Sequence, residues 1–428
     1  MNYGVNIFQF KKFESLIIVL FVTIVRHYDY ALFGLSASVL SKNLMPGSNE
    51  VDQMLMFFAF FSVSMLARPL GAVIFGKIGD NLGRIVSIKI AACLATFSTG
   101  MIAFIPNFSK VGWFAVVLLI FCRMIFLISL AGDVDAIKIY VTEKVTKKNR
   151  CFATGIVYCS AQLGVLSASL SYHMAISYSD IEGLWRIAFL LGGLLGCIVI
   201  FVNSRFQESA LFVRHKVVTG GRNDNFSILH IIMNNKMKWI IATVIYGMLG
   251  GGYHFLIIFF GAFLAKITGV ISVTQASSSN IILISIYAIS CLASGYCADR
   301  VGMIKQVLTA LIINAICVLL MCTIINDESI VLWCHRLLVL ITPFYTIPFV
   351  IRIQSLFQTA IRMRMCSLAH SIGSMLFSAT TPFFCMLIWR YCGEETLVIT
   401  YFFLQLLVLI CLLLYISKKG YVDMLSES

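Results

Sequence analysis

The chain has 428 residues, of which 60% are hydrophobic and only 12% charged, with a mean hydropathy of +0.94 and a formal net charge of +13. So little polar surface excludes a soluble globular protein, whereas a bilayer solvates apolar side chains directly. The positive charge does not mark a nucleic-acid binder, because the basic residues sit in short connections between apolar runs and form no basic helix or aromatic-interleaved platform.

Crossing the hydrocarbon takes about 20 apolar residues per helix. Apolar stretches lie at residues 15–40, 53–77, 85–105, 112–141, 151–176, 184–203, 239–265, 277–298, 307–325, 330–351, 366–389 and 396–417. Backbone groups in lipid must be satisfied internally, and short alternating strands are absent from the sequence. The reading is therefore an all-α polytopic membrane protein with twelve transmembrane helices. The first run begins near Leu16, after Lys11 and Lys12, and contains Arg26 and Asp29. It has no small-residue cleavage site and reads as a retained helix. The fourteen cysteines are scattered, with no CxxC pair and no metal-ligand spacing, so they read as small core hydrophobes and no metal is expected.

One set of connections carries Lys77, Arg84, Lys144, Lys147, Lys148 and Arg150, then Arg205, Arg214, Lys216, Arg222, Lys236 and Lys238, and later Arg300, Lys305, Arg362 and Arg364. The opposite set carries little beyond Lys42, Lys110, Lys266 and Arg390. This bias predicts cytoplasmic N- and C-termini in the plasma (inner) membrane. The longest polar stretch divides the spans six and six. It gives an N-terminal bundle at 1–204, a central cytoplasmic linker at 205–238 and a C-terminal bundle at 239–428.

The connection after helix 2 contains Gly76, Asp80, Gly83 and Arg84, and the connection after helix 8 contains Gly295, Asp299, Arg300 and Gly302. Both read G-x-x-x-D-x-x-G, at the same place in each half. Two copies so placed indicate a duplicated six-helix unit, and paired halves around a midplane site are a common transporter architecture. At these residues the chain resembles the major facilitator superfamily, whose signature between helices 2 and 3 is G-x-x-x-D-R-x-G-R-[RK]. Asn81 and Ile85 stand where that pattern has Arg and a final basic residue.

A finer resemblance is to the metabolite:proton symporters, the group that includes proline/betaine, α-ketoglutarate, citrate and shikimate transporters. It rests on Arg68-Pro69-Leu70-Gly71 followed by Phe75-Gly76, on Tyr28-Asp29-Tyr30-Ala31-Leu32-Phe33-Gly34, and on Trp185-Arg186-Ile187-Ala188-Phe189-Leu190-Leu191-Gly192. Glu208-Ser209 with Phe212, and Phe357, Thr359, Arg362, Ser367, Phe377 and Pro382, continue the match. Arg26-His27 replace the family's Glu-Trp, and helix 4 reads Ala131-Gly132-Asp133 where the family has G-G-E. The resemblance implies two pseudo-symmetric six-helix bundles. It also implies a conformational latch at Gly76, Asp80, Gly83, Arg84, Gly295, Asp299, Arg300 and Gly302.

An ionisable group at mid-bilayer costs about 2.5–3.5 kcal/mol, so each marks a cavity or a pair. Arg26 and Asp29 are spaced i,i+3, as are Asp135 and Lys138, and helix 4 adds Arg123 and Asp133. On the functional reading Asp29 and Asp133 handle protons while Arg26, Arg123 or Lys138 bind a substrate carboxylate. On the structural reading Arg26–Asp29 and Asp135–Lys138 neutralise each other. His254 is either a proton-sensitive site residue or a hydrogen-bonded core histidine. Gly247, Gly250, Gly251 and Gly252 precede no Lys-Ser/Thr, so they read as close packing or a flexible break in helix 7 and not as a phosphate loop.

The expected function is secondary active transport: proton-coupled symport of a small zwitterionic or carboxylate metabolite by alternating access. Uncoupled facilitation or exchange of a mono- or dicarboxylate such as α-ketoglutarate is the alternative, followed by a non-transporting sensor. No HExxH, GxSxG or P-loop supports an enzyme. The expected partners are the lipid bilayer, a small molecule and protons, with no nucleic acid and no cofactor, and the working unit is a monomer.

Overall fold

The computed structural model describes residues 20–47, 49–82, 84–131, 134–177, 183–203, 232–267, 269, 271–323, 328–357 and 359–418. Among the described residues none is in a β-strand. Nine helical spans among the described residues are long and apolar enough to cross a membrane, shorter apolar helices lie at Lys89–Ile102 and Trp185–Phe201, and residues 20–35 are helical. They correspond one by one to the twelve apolar runs of the sequence. Exposed apolar side chains such as Phe121, Leu194, Ile289 and Leu414 face outward from these helices, as a lipid solvent requires.

We number the helices in chain order. The first six are α1 (residues 20–35), α2 (Glu50–Phe75), α3 (Arg84–Ile102), α4 (Trp113–Leu130), α5 (Arg150–Ser177) and α6 (Trp185–Asn203). The last six are α7 (Lys236–Lys266), α8 (Val273–Val301), α9 (Met303–Thr323), α10 (Glu328–Ser355), α11 (Arg364–Cys392) and α12 (Glu395–Lys418). The linker expected at 205–238 lies largely outside the described residues, and α7 begins within its last residues.

Several helices are interrupted where the sequence demands it. In α2 the helix stops at Ser64 and resumes at Ala67, because the ring of Pro69 displaces the carbonyl four residues earlier, at Met65. The run expected as one helix over 112–141 is two, Trp113–Leu130 and Val134–Lys144. Helix α10 carries Pro343 and Pro348 internally. Pro348 frees the carbonyl of Phe344, and Gln306 of α9 donates to that oxygen at 3.0 Å.

Helix α7 contains a π-helical segment, His254–Phe259. Its carbonyls at Leu256 and Ile257 accept hydrogen bonds from His335 Nε2 (2.8 Å) and Asn280 Nδ2 (3.1 Å). Helix α11 has a second π segment, Ser374–Ser378. The glycines of α7 are close-packing positions. A Cβ on Gly250 would lie 2.4 Å from Ser378 Oγ, and one on Gly251 would lie 2.8 Å from Gln405 Nε2 of α12.

Helices α5 and α8 make the most extensive contact between any two helices in the structure, joining the first six helices to the last six. Gly155 and Gly295 allow it: a Cβ on either would lie 2.6 Å or less from a carbonyl oxygen of the facing helix. The two signature repeats are more helical than loops would be. The first lies mostly in the end of the helix Ala67–Leu82, and the second occupies the end of α8 up to Gly302, whose φ of +101° terminates the helix.

Candidate functional site

A cavity of about 150 Å³ lies between the first six and the last six helices. Helices α1, α2, α4, α5, α7, α8, α10 and α11 and the helix Val134–Lys144 that follows α4, its extension, all contribute lining residues. Its charged lining is basic: Arg26 of α1, Arg68 of α2 and Lys138 of the α4 extension. His27, His254 and His370 add imidazoles, and Tyr30, Tyr158, Tyr246, Tyr253 and Tyr287 add aromatic faces. Among the described residues no carboxylate lines it.

The candidates read from the sequence fall into three groups. Arg26, Lys138 and His254 line the cavity. Asp135 sits directly behind the lining, 3.6 Å from Lys138 Nζ, with each carboxylate oxygen 2.8 Å from His370 Nδ1. The i,i+3 pair expected here is thus formed, and it is extended by a histidine from α11. Asp29 and Arg123 are buried away from the cavity. Helix α6 passes so close to Asp29 that a Cβ on Gly192 would lie 2.5 Å from its Oδ1. Arg123 lies over the rings of Phe33 (4.4 Å), Phe126 (5.1 Å), Tyr30 (5.2 Å) and Phe61 (5.6 Å), an aromatic cage that compensates a buried cation. Asp133 lies outside the described residues.

His254 has both ring nitrogens engaged, Nδ1 2.6 Å from Ser378 Oγ and Nε2 3.0 Å from Tyr30 OH, so it ties α7 to α11 and α1. One charged lining residue, Arg68, was read from the sequence only as part of a family pattern. The signal for Arg68 was present, since an arginine inside an apolar run before Pro69 is as costly as any of the others.

Each end of the bundle carries contacts between the first and last six helices. At the end with the signature repeats, Asp299 of α8 accepts hydrogen bonds from the backbone N–H of Cys151 (3.1 Å) and Phe152 (2.9 Å), capping the N-terminus of α5. Arg300 lies over the ring of Tyr296 at 4.8 Å. Thr142 donates to Gln354 of α10 at 3.0 Å. For the first repeat, the side chains of Asp80 and Arg84 lie outside the described residues, as do Gly83 and the surroundings of Gly76. At the opposite end, Lys266 pairs with Glu50 at 2.9 Å and Arg390 pairs with Asp52. Below these pairs, Phe58 packs edge-on against Phe259 at 5.8 Å, and Ser62 donates to the carbonyl of Ala379 at 2.8 Å.

A cavity thus lies between two helical groups that touch each other at both of its ends. Comparisons with known proteins agree. The sequence profile of the Major Facilitator Superfamily matches residues 19–384. The chain is 23% identical over 395 residues to a putative proline/betaine transporter of Staphylococcus aureus strain MSSA476, covering 89% of this chain and 83% of that one. It is 25% identical over 236 residues to the citrate-proton symporter of Salmonella typhi, covering 54% of each. The fold resembles the crystal structure of a D-xylose-proton symporter with a TM-score of 0.70 at 15% identity, covering 96% of this chain and 97% of that chain. With a family match over most of its length and the helical architecture to go with it, this chain is a transporter belonging to the major facilitator superfamily.

Proposed function

We propose that the chain is a proton-coupled symporter of a small metabolite bearing a carboxylate, working as a monomer by alternating access. The observation that carries this reading is the basic and aromatic lining of the cavity, with Arg26, Arg68 and Lys138 together and no facing carboxylate among the described residues. Such a site selects an anionic group, and guanidinium pairs carboxylate oxygens with fixed geometry. The tyrosines extend the choice to zwitterions. Tyr253 and Tyr287 meet edge to face at 5.5 Å and both line the cavity, so their π faces can receive an ammonium while the carboxylate rests on the cations. Two of the similar proteins, a putative proline/betaine transporter and a citrate-proton symporter, fall in these two classes.

The gates follow the same logic. Asp299 on the N-terminus of α5 latches one end, and Glu50–Lys266 with Asp52–Arg390 latches the other. Lysine and arginine cluster at the signature end, which supports reading that end and both termini as cytoplasmic in an inner-membrane protein. A proton entering down about 100 mV supplies about 2.3 kcal/mol, enough for roughly fortyfold accumulation of a neutral solute.

The test is uptake of radiolabelled proline, glycine betaine, α-ketoglutarate, citrate and shikimate into proteoliposomes, with an imposed inward proton gradient and again with an ionophore. Uphill accumulation abolished by the ionophore supports symport. Equilibration that ignores the gradient means facilitation or exchange, and no uptake of any compound removes the substrate class proposed here.

A further inference from the structure

Behind the cavity lies a buried charge cluster that joins the first six helices to the last six. Asp135 is 6% exposed, and among the described residues its carboxylate is hydrogen-bonded from across the interface, by His370 of α11. Its charge is balanced by Lys138 at 3.6 Å, one turn along the same helix. The His370 Nδ1 that meets Asp135 also lies 3.3 Å from Arg68 NH2, while the other terminal nitrogen of Arg68 donates to Ser374 Oγ at 3.0 Å. Among the described residues, the other groups facing the cluster are His27 and Tyr30 of α1, Arg123 of α4, Tyr158 of α5, Tyr246 and His254 of α7 and Cys366 of α11. Tyr246 stacks on the His370 ring at 4.8 Å, and Lys138 lies 5.1 Å from the centre of the Tyr158 ring. None of these surrounding groups is an acid of carboxylate strength.

Arg68, Lys138 and His370 all line the cavity, whereas Asp135 does not. A carboxylate entering the cavity and the carboxylate of Asp135 therefore draw on the same two cations. We infer that Asp135 and His370 form the proton-binding pair of this transporter, loaded by competition between the ligand and Asp135 for Arg68 and Lys138. The inference rests on the transport reading above for its ligand. When the ligand anion takes the two cations, Asp135 is left as a buried carboxylate without compensation, which costs several kcal/mol. Taking one proton from water removes that cost. The carboxylate becomes a neutral acid that still hydrogen-bonds His370, through O–H···Nδ1, with the imidazole hydrogen then on Nε2. Release of the ligand returns both cations to Asp135, and the proton leaves to water. Linkage is reciprocal, so ligand tightens proton binding and protons tighten ligand binding by the same factor. Because His370 is on α11 and Asp135 on the α4 extension, separation of the helices at this contact breaks the pair and gives the proton its exit.

The experiment is an infrared pH titration of the full chain in proteoliposomes, reading the carbonyl absorption of protonated carboxyl groups. Proline, glycine betaine and α-ketoglutarate serve as carboxylate probes. The expected result is a titrating band in the wild type whose midpoint moves up by about one pH unit, a tenfold gain in proton affinity, with a transported probe. The band is lost in Asp135→Asn, persists in Asp29→Asn, and titrates at a different midpoint in His370→Gln. Asp135→Asn vesicles no longer accumulate probe against an imposed gradient, while an unchanged amide I band and melting curve show that the variant folds. A band that survives Asp135→Asn, or a midpoint unmoved by a probe the vesicles transport, overturns the inference. Vesicles that transport none of the probes while the band vanishes in Asp135→Asn would instead remove the substrate class proposed above and leave the proton site standing.

Discussion

Removing the carboxylate of Asp299 tests whether the second signature repeat latches the bundle. In the structure this carboxylate accepts from Cys151 N–H at 3.1 Å and Phe152 N–H at 2.9 Å, two donors at the N-terminus of α5 with no intrahelical acceptor. Loss of a side-chain cap costs about 0.5–2 kcal/mol, and the negative charge at the positive end of the helix dipole places this one in the upper part of that range. About 1–2 kcal/mol changes a two-state population by roughly 5–30-fold. The assay uses Cys151, which is 2% exposed at the contact itself and reacts only when this end opens. Maleimide labelling of Cys151, mapped by mass spectrometry, should be roughly 5–30-fold faster in Asp299→Ala, with Asp299→Asn in between. Cys385 is fully buried inside α11 and reports general loosening, so its labelling should not change. Equal Cys151 labelling in wild type and Asp299→Ala would refute the latch, and parallel acceleration at Cys385 would show loss of fold instead.

Other positions give sharper structural outcomes. A Cβ on Gly373 would lie 2.2 Å from the carbonyl oxygen of Thr243 and 2.9 Å from Gly247 N, both backbone atoms that no rotamer change can move. Gly373→Ala should therefore destabilise the purified protein by about 1–3 kcal/mol, and an unchanged melting curve in detergent would contradict the close α7–α11 approach. Gln306→Leu removes the donor to the Phe344 carbonyl that Pro348 leaves free, at a cost of about 1–3 kcal/mol. The same substitution beside Pro348→Ala should cost less, since a backbone N–H then returns to that carbonyl, and equal costs in both backgrounds would refute the coupling. The Glu50–Lys266 pair is different, because the Glu50 side chain is half exposed. Reversing Glu50 to Lys should shift uptake by less than about fivefold, below about 1 kcal/mol, and Lys266→Glu in the same chain should restore it. An effect of two orders of magnitude would mean that this gate is not solvated.

The twelve spans were legible in the sequence because lipid imposes one rule on every position, about 20 apolar residues with all backbone groups satisfied within the helix. Gly302 was legible for a similarly local reason, since a helix that must stop abruptly needs the φ of +101° that glycine permits. The interruptions were less so. Pro69 and Pro348 announce breaks, but the π segment of α7 depends on His335 and Asn280 of other helices taking up its carbonyls.

The candidate site divides in the same way. The sequence alone determined which residues are expensive in a membrane, and Arg26, Asp29, Arg123, Asp135 and Lys138 are all described as buried. A lone charge in an apolar run costs the same whether a cavity, an aromatic ring or a neighbouring helix compensates it, so spacing along one helix could not assign their partners. Only the tertiary structure decided that Arg123 is held by four aromatic rings, that Asp29 packs under α6, and that Asp135 is joined to His370, 235 residues away in sequence. Compensation of a buried charge is a contact across the fold, and contacts between distant segments are fixed by packing, not by the local pattern.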